Sequence, residues 1–235
     1  MTQVSIILPT YNEAENIAEL IPALEAVIKK NKIDAEIVVA DDSSPDGTAK
    51  KARELNKKYK NIRVLERKKK EGIGAAMKDA YNFAKGSILL SMDSDQQIAA
   101  EDILKLLKHI PEYDFVFGSK YLEPQLYEKE SIASKIRYLI SRYGNRYIGI
   151  INGTPFIDYS LNFRAIKKKT WKAINPRDKK NFFFAEMIIQ AHRKGFKLKE
   201  IAIEFKKRQH GESKTQVMNQ MGVFLLKGLL LGLKR

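Results

Sequence analysis

Short apolar runs alternate along this chain with longer stretches in which apolar residues recur every three or four positions. The runs at 37–40 and 88–91 are apolar almost throughout, as strands covered on both faces are. Helices between such strands produce right-handed crossovers onto a parallel sheet. The first half is therefore predicted to contain strands at 4–8, 36–40, 63–66 and 87–92 and helices at 13–30, 48–59 and 73–85.

Beyond residue 95 the pattern is looser. It predicts helices at 101–109 and about 132–148, strands at 115–118 and 198–205, and a Leu-rich helix at 216–235. No internal repeat or Pro/Gly/Ser-rich linker divides the 235 residues, which suffice to bury one core. We expect one α/β domain over residues 1–214, with a mainly parallel central sheet, and a C-terminal amphipathic or apolar helix over 215–235.

The composition restricts the partners and the compartment. Lys and Arg number 43 against 28 Asp and Glu, a formal net charge of +15 that favours an anionic partner such as nucleic acid, a phosphorylated ligand or an acidic membrane surface. The absence of cysteine excludes disulfides and thiolate metal sites. The N-terminus lacks the charged and apolar regions of a secretory signal, so we expect the catalytic part in the cytoplasm.

Three predicted strands end in polar, acidic sequences. These are PTYNE at 9–13, DDSSPDGT at 41–48 and DSDQQ at 93–97. Carboxylates at the ends of apolar strands are costly unless a cation or hydroxyl groups pair with them. Asp93 and Asp95 alternate directly after a strand, so they are candidate ligands for Mg²⁺ or Mn²⁺, which prefer oxygen and share phosphate oxygens.

Gly72 and Gly74 open a helix after the basic run at 67–70 and suggest a dinucleotide site. That interpretation fails because the sixth position of the G-x-G-x-x-G frame is Met77 and this is not the first βα unit. The basic run either lies near a diphosphate or forms a solvated loop.

Taken together, PTYNE, DDSSPDGT, Gly72 with Gly74, DSDQQ, the GSKY of 118–121 and the GESK of 211–214 resemble the motifs of family 2 glycosyltransferases. Within that family the chain is most similar to the polyprenol-phosphate (dolichol-phosphate) mannose synthases, over nearly its whole length. The resemblance implies a GT-A, Rossmann-like nucleotide-sugar-binding fold. It also implies inverting transfer of a hexose, with mannose and GDP-mannose favoured, to a polyprenyl or dolichyl phosphate.

The resemblance also assigns site residues. At the nucleotide sugar it places Pro9, Tyr11, Glu13, Asp42 and Gly72. At the Mg²⁺ or Mn²⁺ and the diphosphate it places Asp93, Asp95 and Gln97. Around the acceptor phosphate it places Lys120, Arg137, Arg142, Arg208, Ser213 and Lys214. Two departures concern the acceptor: Lys120 replaces the arginine of a Gly-Ser-Arg-Tyr motif, and residues 161–164 read LNFR where Ser-Gly-Phe-Arg is common.

The nature of the acceptor decides which residues are catalytic. A sugar hydroxyl must lose a proton to a base, and Asp158 and Glu186 are the candidates. A lipid phosphate, with a second pKa near 6, is already anionic and needs only cations to hold it. A soluble family 2 enzyme acting on a sugar hydroxyl is therefore the alternative. A basic nucleic-acid-binding module and an inactive binding protein are further hypotheses. For the transferase, we expect no nucleic-acid partner.

The C-terminal segment raises the question of a membrane. The apolar stretch at 222–233 is interrupted by Lys227 and is shorter than the roughly 20 residues of a spanning helix. We therefore expect a helix that lies in the interface on the cytoplasmic face, with its terminal basic residues toward anionic head groups. Gly228 and Gly232 also fit a small-xxx-small pattern, which predicts packing on the same domain or on a second subunit.

Overall fold

A computed structural model describes residues 3–123, 125, 132–206 and 217–233 of the chain. Its strands are β1 (Val4–Thr10), β2 (Ala35–Asp41), β3 (Ile62–Glu66), β4 (Ile88–Met92), β5 (Phe115–Ser119), β6 (Phe163–Lys167) and β7 (Leu198–Ala202). Its α-helices are α1 (Ala14–Lys30), α2 (Thr48–Tyr59), α3 (Ile73–Phe83), α4 (Ile103–His109), α5 (Ile132–Asn152), α6 (Lys168–Ala173), α7 (Phe182–Arg193) and α8 (Val217–Leu233). A 3₁₀ turn, Ala100–Asp102, precedes α4.

Within the described residues, seven strands form one sheet in the order β3-β2-β1-β4-β6-β5-β7. Strands β3, β2, β1 and β4 run parallel to one another, as do β5 and β7. Only β6, of these strands, is antiparallel to both of its neighbours. The predicted α/β fold with a mainly parallel sheet is confirmed. Strands β1, β2 and β4 end at one edge of this sheet, and β6 begins at that edge.

Strand β6 and helices α6 and α7 are absent from the sequence predictions. In β6 a charged residue interrupts a short apolar run, which is not typical of a central strand. Arg164 is nevertheless fully buried: its Nη1 donates to the carbonyl oxygen of Phe184 at 3.0 Å, and the guanidinium lies 4.6 Å from that ring. Burial lowers the pKa of Arg164 to about 10. Helix α7 begins with buried phenylalanines and so lacks a polar face in its first turn.

Several predicted boundaries move by a few residues. Helix α3 ends at Phe83 and not at Lys85, because the amide of Lys85 donates to Glu36 Oε1 at 2.6 Å in place of a helical carbonyl. Helix α5 continues four residues beyond the predicted end, to Asn152. Strand β7 ends at Ala202, before the predicted residue 205. The first of these differences reflects a tertiary hydrogen bond, which local propensity does not encode.

The core lies on both faces of the sheet. Along β1, Ile6 and Leu8 point to the cluster formed with α1 and α4, while Ile7 points to the cluster formed with α3 and α7. This alternation is the period of a strand, and both faces are apolar because helices cover both. The core therefore holds the strand ends rigidly, and the loops that follow them carry the polar residues.

Helix α8 packs against α5 through small residues. Gly228 lies against Ile148, and a Cβ placed on Gly232 would lie 2.5 Å from Ile151 Cγ2. The Asn152 side-chain amide donates to the carbonyl oxygen of Gly228 at 3.2 Å. The small-xxx-small pattern is therefore used within this chain, for packing of one helix on its own domain.

The opposite side of α8 is open. Phe224 is buried against Phe182 of α7, with ring centroids 5.4 Å apart. Large apolar side chains on the other side are exposed: Val223, Leu226, Leu229, Leu230 and Leu233. Among the described residues, no helix combines the length and apolarity that a membrane span requires. The expected C-terminal helix is present. Its division from the domain at residue 214 stays a prediction.

Candidate active site

The loops that follow β1, β2 and β4 surround a cavity of about 370 Å³. Its walls also include the start of α3 and the loop that precedes α7. Ligands of open parallel sheets bind at this edge. The structure brings together here seven residues predicted from sequence: Pro9, Tyr11, Glu13, Asp42, Gly72, Asp93 and Asp95.

A buried arginine organises one wall of this first cavity. Arg67 forms an ion pair with Asp42, and its Nε lies 2.8 Å from Asp79 Oδ2. Burial raises the pKa of Asp42 above its usual value, against the opposing effect of Arg67. The residues of the basic run at 67–70 therefore have different environments. Arg67 is buried. Lys70 lines the first cavity, and its Nζ lies 3.6 Å from the centre of the Tyr11 ring.

A chain of buried hydrogen bonds orients Asp93. The Tyr81 hydroxyl lies 2.9 Å from Ser91 Oγ, which donates to Asn162 Oδ1 at 2.7 Å. The Asn162 amide in turn donates to Asp93 Oδ1 at 2.8 Å. Asn162 is one of the positions at which the sequence departs from the motif of its family. The departure places an amide donor against the carboxylate of Asp93.

Gln97 lies apart from the other predicted metal ligands. Its side-chain amide donates to the carbonyl oxygen of Lys206 at 3.0 Å, and it does not line the first cavity. Asp95 accepts the Gln97 backbone N–H at 3.2 Å. In the described part of the chain, no group of three or more His, Asp or Glu side chains forms a metal cluster. Of the three predicted metal ligands, two therefore line the cavity, Asp93 and Asp95, a pair that suits a cation sharing its remaining positions with phosphate and water.

A second cavity of about 390 Å³ adjoins the first. The two share Ile73, Asp93, Lys180 and Asn181 as lining residues. The second cavity extends between α5 and α8 and is lined there by both polar and apolar side chains: Ser141, Asn145, Met221, Val223, Phe224 and Lys227. A ligand in one cavity is therefore adjacent to a ligand in the other.

The predicted acceptor residues are only partly assembled around the second cavity. Lys120 lines it. Arg137 and Arg142 lie on α5 but line neither cavity, and Arg142 donates to the Tyr138 hydroxyl at 3.1 Å. The other three predicted residues lie outside the described residues: Arg208, Ser213 and Lys214.

Asp158 is buried and engaged in its own loop. Its Oδ1 accepts the backbone N–H and the hydroxyl of Ser160, both at 3.0 Å, and its Oδ2 accepts the Lys120 N–H at 3.3 Å. It lines neither cavity. These hydrogen bonds stabilise the loop that carries Ser160. They do not support the predicted role of Asp158 as a general base.

Glu186, the other candidate base, is engaged in the same manner. Its Oε2 accepts the backbone N–H groups of Arg177 and Asp178, both at 2.7 Å. Like Asp158, it lines neither cavity. Glu186 therefore fastens the loop before α7, and its place in proton transfer stays a prediction without geometric support.

Lys180 and Asn181 are site residues that sequence patterns did not identify. They belong to the loop between α6 and α7 and line both cavities. No periodicity or motif marks them. The sequence contained only an indirect indication of this loop. Glycines at 72 and 74 allow another stretch of backbone to pass close to them, and in the structure that backbone belongs to the loop between α6 and α7.

A second carboxylate beneath the Asp158 loop should make stability depend on pH. Glu200 accepts the Asp158 N–H at 2.7 Å, and burial, aided by the charge of Asp158, raises the pKa of Glu200 from 4.5 to about 7. The native state therefore retains a proton that the unfolded chain releases. The free energy of unfolding should fall as pH rises between these values, by on the order of 2 kcal/mol.

Urea unfolding at pH 5.5 and pH 8 would measure this dependence, and Glu200→Gln should make it flatter. The matched control is Glu204→Gln, which changes an exposed carboxylate two residues beyond β7. An unchanged pH dependence in Glu200→Gln would mean that Glu200 is ionised throughout the range.

The fold and the site together define a class of protein: an α/β domain whose parallel strands end in acidic residues around a ligand-sized cavity. Residues 5–173 match the glycosyl transferase family 2 domain. The chain belongs to this family and is a glycosyltransferase.

Three curated relatives carry related names. A dolichol-phosphate mannosyltransferase of Pyrococcus furiosus is 33% identical over 219 residues, which cover 90% of this chain and 59% of that protein. An undecaprenyl-phosphate mannosyltransferase of Micrococcus luteus is 29% identical, with 90% and 87% covered. A polyprenol monophosphomannose synthase of Mycolicibacterium smegmatis is 29% identical, with 91% and 81% covered. The chain thus spans little more than half of the Pyrococcus protein and most of the other two.

Solved structures share the fold at low identity. Glucosyl-3-phosphoglycerate synthase from Mycobacterium tuberculosis, in complex with Mn²⁺, UDP and phosphoglyceric acid, superimposes with a TM-score of 0.72 at 14% identity, covering 99% of this chain and 77% of that one. Mannosyl-3-phosphoglycerate synthase from Rubrobacter xylanophilus gives 0.65 at 16% identity, covering 99% and 74%. The expected GT-A fold is confirmed.

Proposed function

We propose that this chain transfers a hexose, mannose in the first place, from a nucleotide diphosphate sugar to a polyprenyl or dolichyl phosphate, with inversion at the sugar carbon. The observation that carries the proposal is the pair of adjoining cavities that share Asp93, Lys180 and Asn181. The names of the three curated relatives, each a transferase or synthase that makes a polyprenyl-type phosphate sugar, support the same acceptor class.

The first cavity is the proposed donor site. Tyr11 and Asp42 line the first cavity but not the second and would contact the base and ribose, whereas Asp93, which lines both cavities, and Asp95 would lie at the diphosphate. GDP-mannose is the favoured donor. Mg²⁺ or Mn²⁺, held by Asp93 and Asp95 with Gln97 as a further candidate, would neutralise charge on the leaving diphosphate. Solved neighbours of the same fold contain Mn²⁺ or Mg²⁺ together with UDP.

The second cavity is the proposed acceptor site. A phosphate oxygen of the lipid would attack the sugar carbon from the side opposite the diphosphate, forming a carbon–oxygen bond as the bond to the diphosphate breaks. The acceptor oxygen carries its own negative charge, so no base is needed. Lys120 and Lys180 line this cavity and supply positive charge, and the predicted Arg208, Ser213 and Lys214 would complete the set.

A lipid acceptor requires that the second cavity face a membrane. Exposed apolar side chains of α5 and α8 form a surface beside it, which we call the apolar platform: Ile136, Leu139, Tyr143, Tyr147, Ile150, Val223, Leu226, Leu229, Leu230 and Leu233. Exposed basic residues of α5 accompany them: Lys135, Arg137 and Arg146. Apolar and basic side chains in one surface suit the interface of an anionic bilayer. We place this surface on the cytoplasmic face of the membrane, where the protein would bind peripherally.

The platform can be tested without disturbing the fold. Leu226 and Leu230 are 55% and 50% exposed, so replacing both with glutamine should leave the core intact. Binding to phosphatidylglycerol-containing vesicles should weaken by about tenfold or more, since each leucine contributes roughly 1.5–3 kcal/mol when fully buried. Vesicle sedimentation measures this, with nucleotide-sugar binding as the control. Equal vesicle binding by variant and wild type would exclude α8 from the membrane surface.

The function itself is tested by incubating the protein with Mg²⁺ or Mn²⁺, a panel of radiolabelled nucleotide sugars and a short polyprenyl phosphate. We expect label to enter the organic phase, most rapidly from GDP-mannose. Label in a water-soluble glycoside, with none in the lipid, would favour the alternative of a sugar hydroxyl acceptor.

A further inference from the structure

Residues 174–181 form the loop between α6 and α7, which we call the strap. Near its end it supplies Lys180 and Asn181 to both cavities. A donor diphosphate and an acceptor phosphate would meet at this point. The position of the strap therefore determines where a positive charge lies relative to both reacting groups.

Helices α3 and α7 both contact the backbone of the strap. The start of α3 approaches it so closely that a Cβ at Gly74 would lie 2.5 Å from the Asp178 carbonyl oxygen, and the Ala75 N–H donates to the Lys179 carbonyl oxygen at 3.2 Å. Helix α7 holds it through Glu186, which accepts the Arg177 and Asp178 N–H groups. These contacts fix the backbone at 177–179.

The third attachment comes from the C-terminal helix. Asp178 Oδ1 accepts the Lys180 N–H at 2.7 Å, and Asp178 Oδ2 forms an ion pair with Lys227 of α8. The Asp178 side chain is 8% exposed and that of Lys227 34%. Lys227 itself lines the second cavity. One carboxylate thus links the C-terminal helix to the backbone of Lys180.

We infer that α8 is a working part of the transfer site, in which Lys227 acts through Asp178 as a positioning residue for Lys180 and Asn181. This inference rests on the proposed function, because it takes the strap to lie between donor and acceptor phosphates. Val223 and Leu230, which lie one turn before and one turn after Lys227 on α8, belong to the apolar platform. The same helix therefore connects the surface that would contact lipid with the loop that would contact both phosphates.

Removal of the ion pair should affect transfer more than donor binding. In Lys227→Met, which keeps the length of the side chain, and in Asp178→Asn, kcat for transfer to polyprenyl phosphate should fall about tenfold, because a displaced strap misplaces the reacting groups. The dissociation constant of the donor should rise by a smaller factor, about threefold at most, because Lys180 and Asn181 are only two of the residues that line the first cavity. Lys227→Arg, which keeps a positive charge for the ion pair with Asp178, should retain most of the wild-type kcat. Lys57→Met, an exposed change on α2, is the control.

A double variant separates positioning from direct contact. If Lys227 acts through Asp178, the variant with both changes should be no slower than either single variant, because the second change removes nothing further. A large loss in Lys227→Met with none in Asp178→Asn would mean that Lys227 touches the acceptor itself, and the inference would be wrong. Normal kcat in both single variants would also overturn it.

Hydrogen exchange supplies a measurement that needs no acceptor. The N–H groups of Asp178 and Lys180 donate to Glu186 and Asp178, so amides at 177–182 should exchange faster in both single variants, while those of β1 stay protected. Unchanged exchange would refute the fastening role of Lys227. If wild-type protein transferred no sugar to polyprenyl phosphate, the proposed function would fail, whereas this exchange result would still decide whether α8 holds the strap.

Discussion

Asp95→Ala should reduce sugar transfer by about three orders of magnitude while leaving the fold intact. Asp95 lies in the loop that follows β4, is almost fully buried and lines the first cavity. Without its carboxylate, the leaving diphosphate would lose the cation that we propose Asp95 holds, and with it the neutralisation of its developing charge. Asp93→Ala should be somewhat less severe, because Asp93 shares its oxygen with Asn162.

The assay is initial-rate transfer of radiolabelled sugar with Mg²⁺ or Mn²⁺ present, together with a urea unfolding curve for each variant. Glu101→Ala, an exposed change a few residues further along the chain, is the control and should behave as wild type. The interpretation also requires that EDTA abolish transfer by the unaltered protein. Full activity in EDTA would remove the metal from the proposal and leave Asp93 and Asp95 with another role.

Gly72→Ala should lower the free energy of unfolding by about 2–4 kcal/mol and weaken nucleotide-sugar binding. Gly72 has φ +111°, and a Cβ there would collide with the backbone carbonyl of Lys179 in the strap. Backbone cannot rotate away as a flexible side chain can, so the strap or the start of α3 must move. Either movement displaces residues that line both cavities.

Gly195→Ala is a matched control, because Gly195 also has a positive φ, +75°, but nothing lies within 4 Å of the added carbon. Its cost should be only the backbone strain, about 1 kcal/mol. The difference between the two variants measures the collision with the strap. Fluorescence of Trp171, the single tryptophan, reports unfolding because its ring lies 4.7 Å from that of Tyr81 in the core. Equal losses in both variants would show that the strap yields freely.

The first half of the sheet and the donor side of the site could be predicted from sequence, because both follow from a repeated unit. Each βα unit combines an apolar strand, a polar loop and an amphipathic helix, and parallel strands bring their carboxyl ends to one edge. The order of strands and loops along the chain is therefore enough to assign Asp42, Asp93 and Asp95 to one cavity.

The second half resisted prediction for particular reasons. Buried Arg164 made β6 look like a polar segment, although its two terminal nitrogens donate to backbone carbonyl groups and its guanidinium lies over an aromatic ring. Lys180 reaches the site through a loop whose course depends on contacts with α3 and α8, both of which are distant from the loop in sequence. Asp158 and Glu186 show the converse: acidic side chains suggested proton transfer, but backbone N–H groups occupy them.

The reversal of β6 has a consequence for how such enzymes diversify. Strands β5 and β6 are antiparallel neighbours, with Phe117 opposite Arg164. The chain therefore leaves the sheet at the end of β5 and returns to the same edge at the start of β6. The connection between the two strands, which contains α5, thus begins and ends at neighbouring points of the sheet. Such connections can change length and sequence at small cost to the sheet. Relatives that glycosylate different acceptors should accordingly differ most over the segment equivalent to 120–161, while the strands that flank it keep their register.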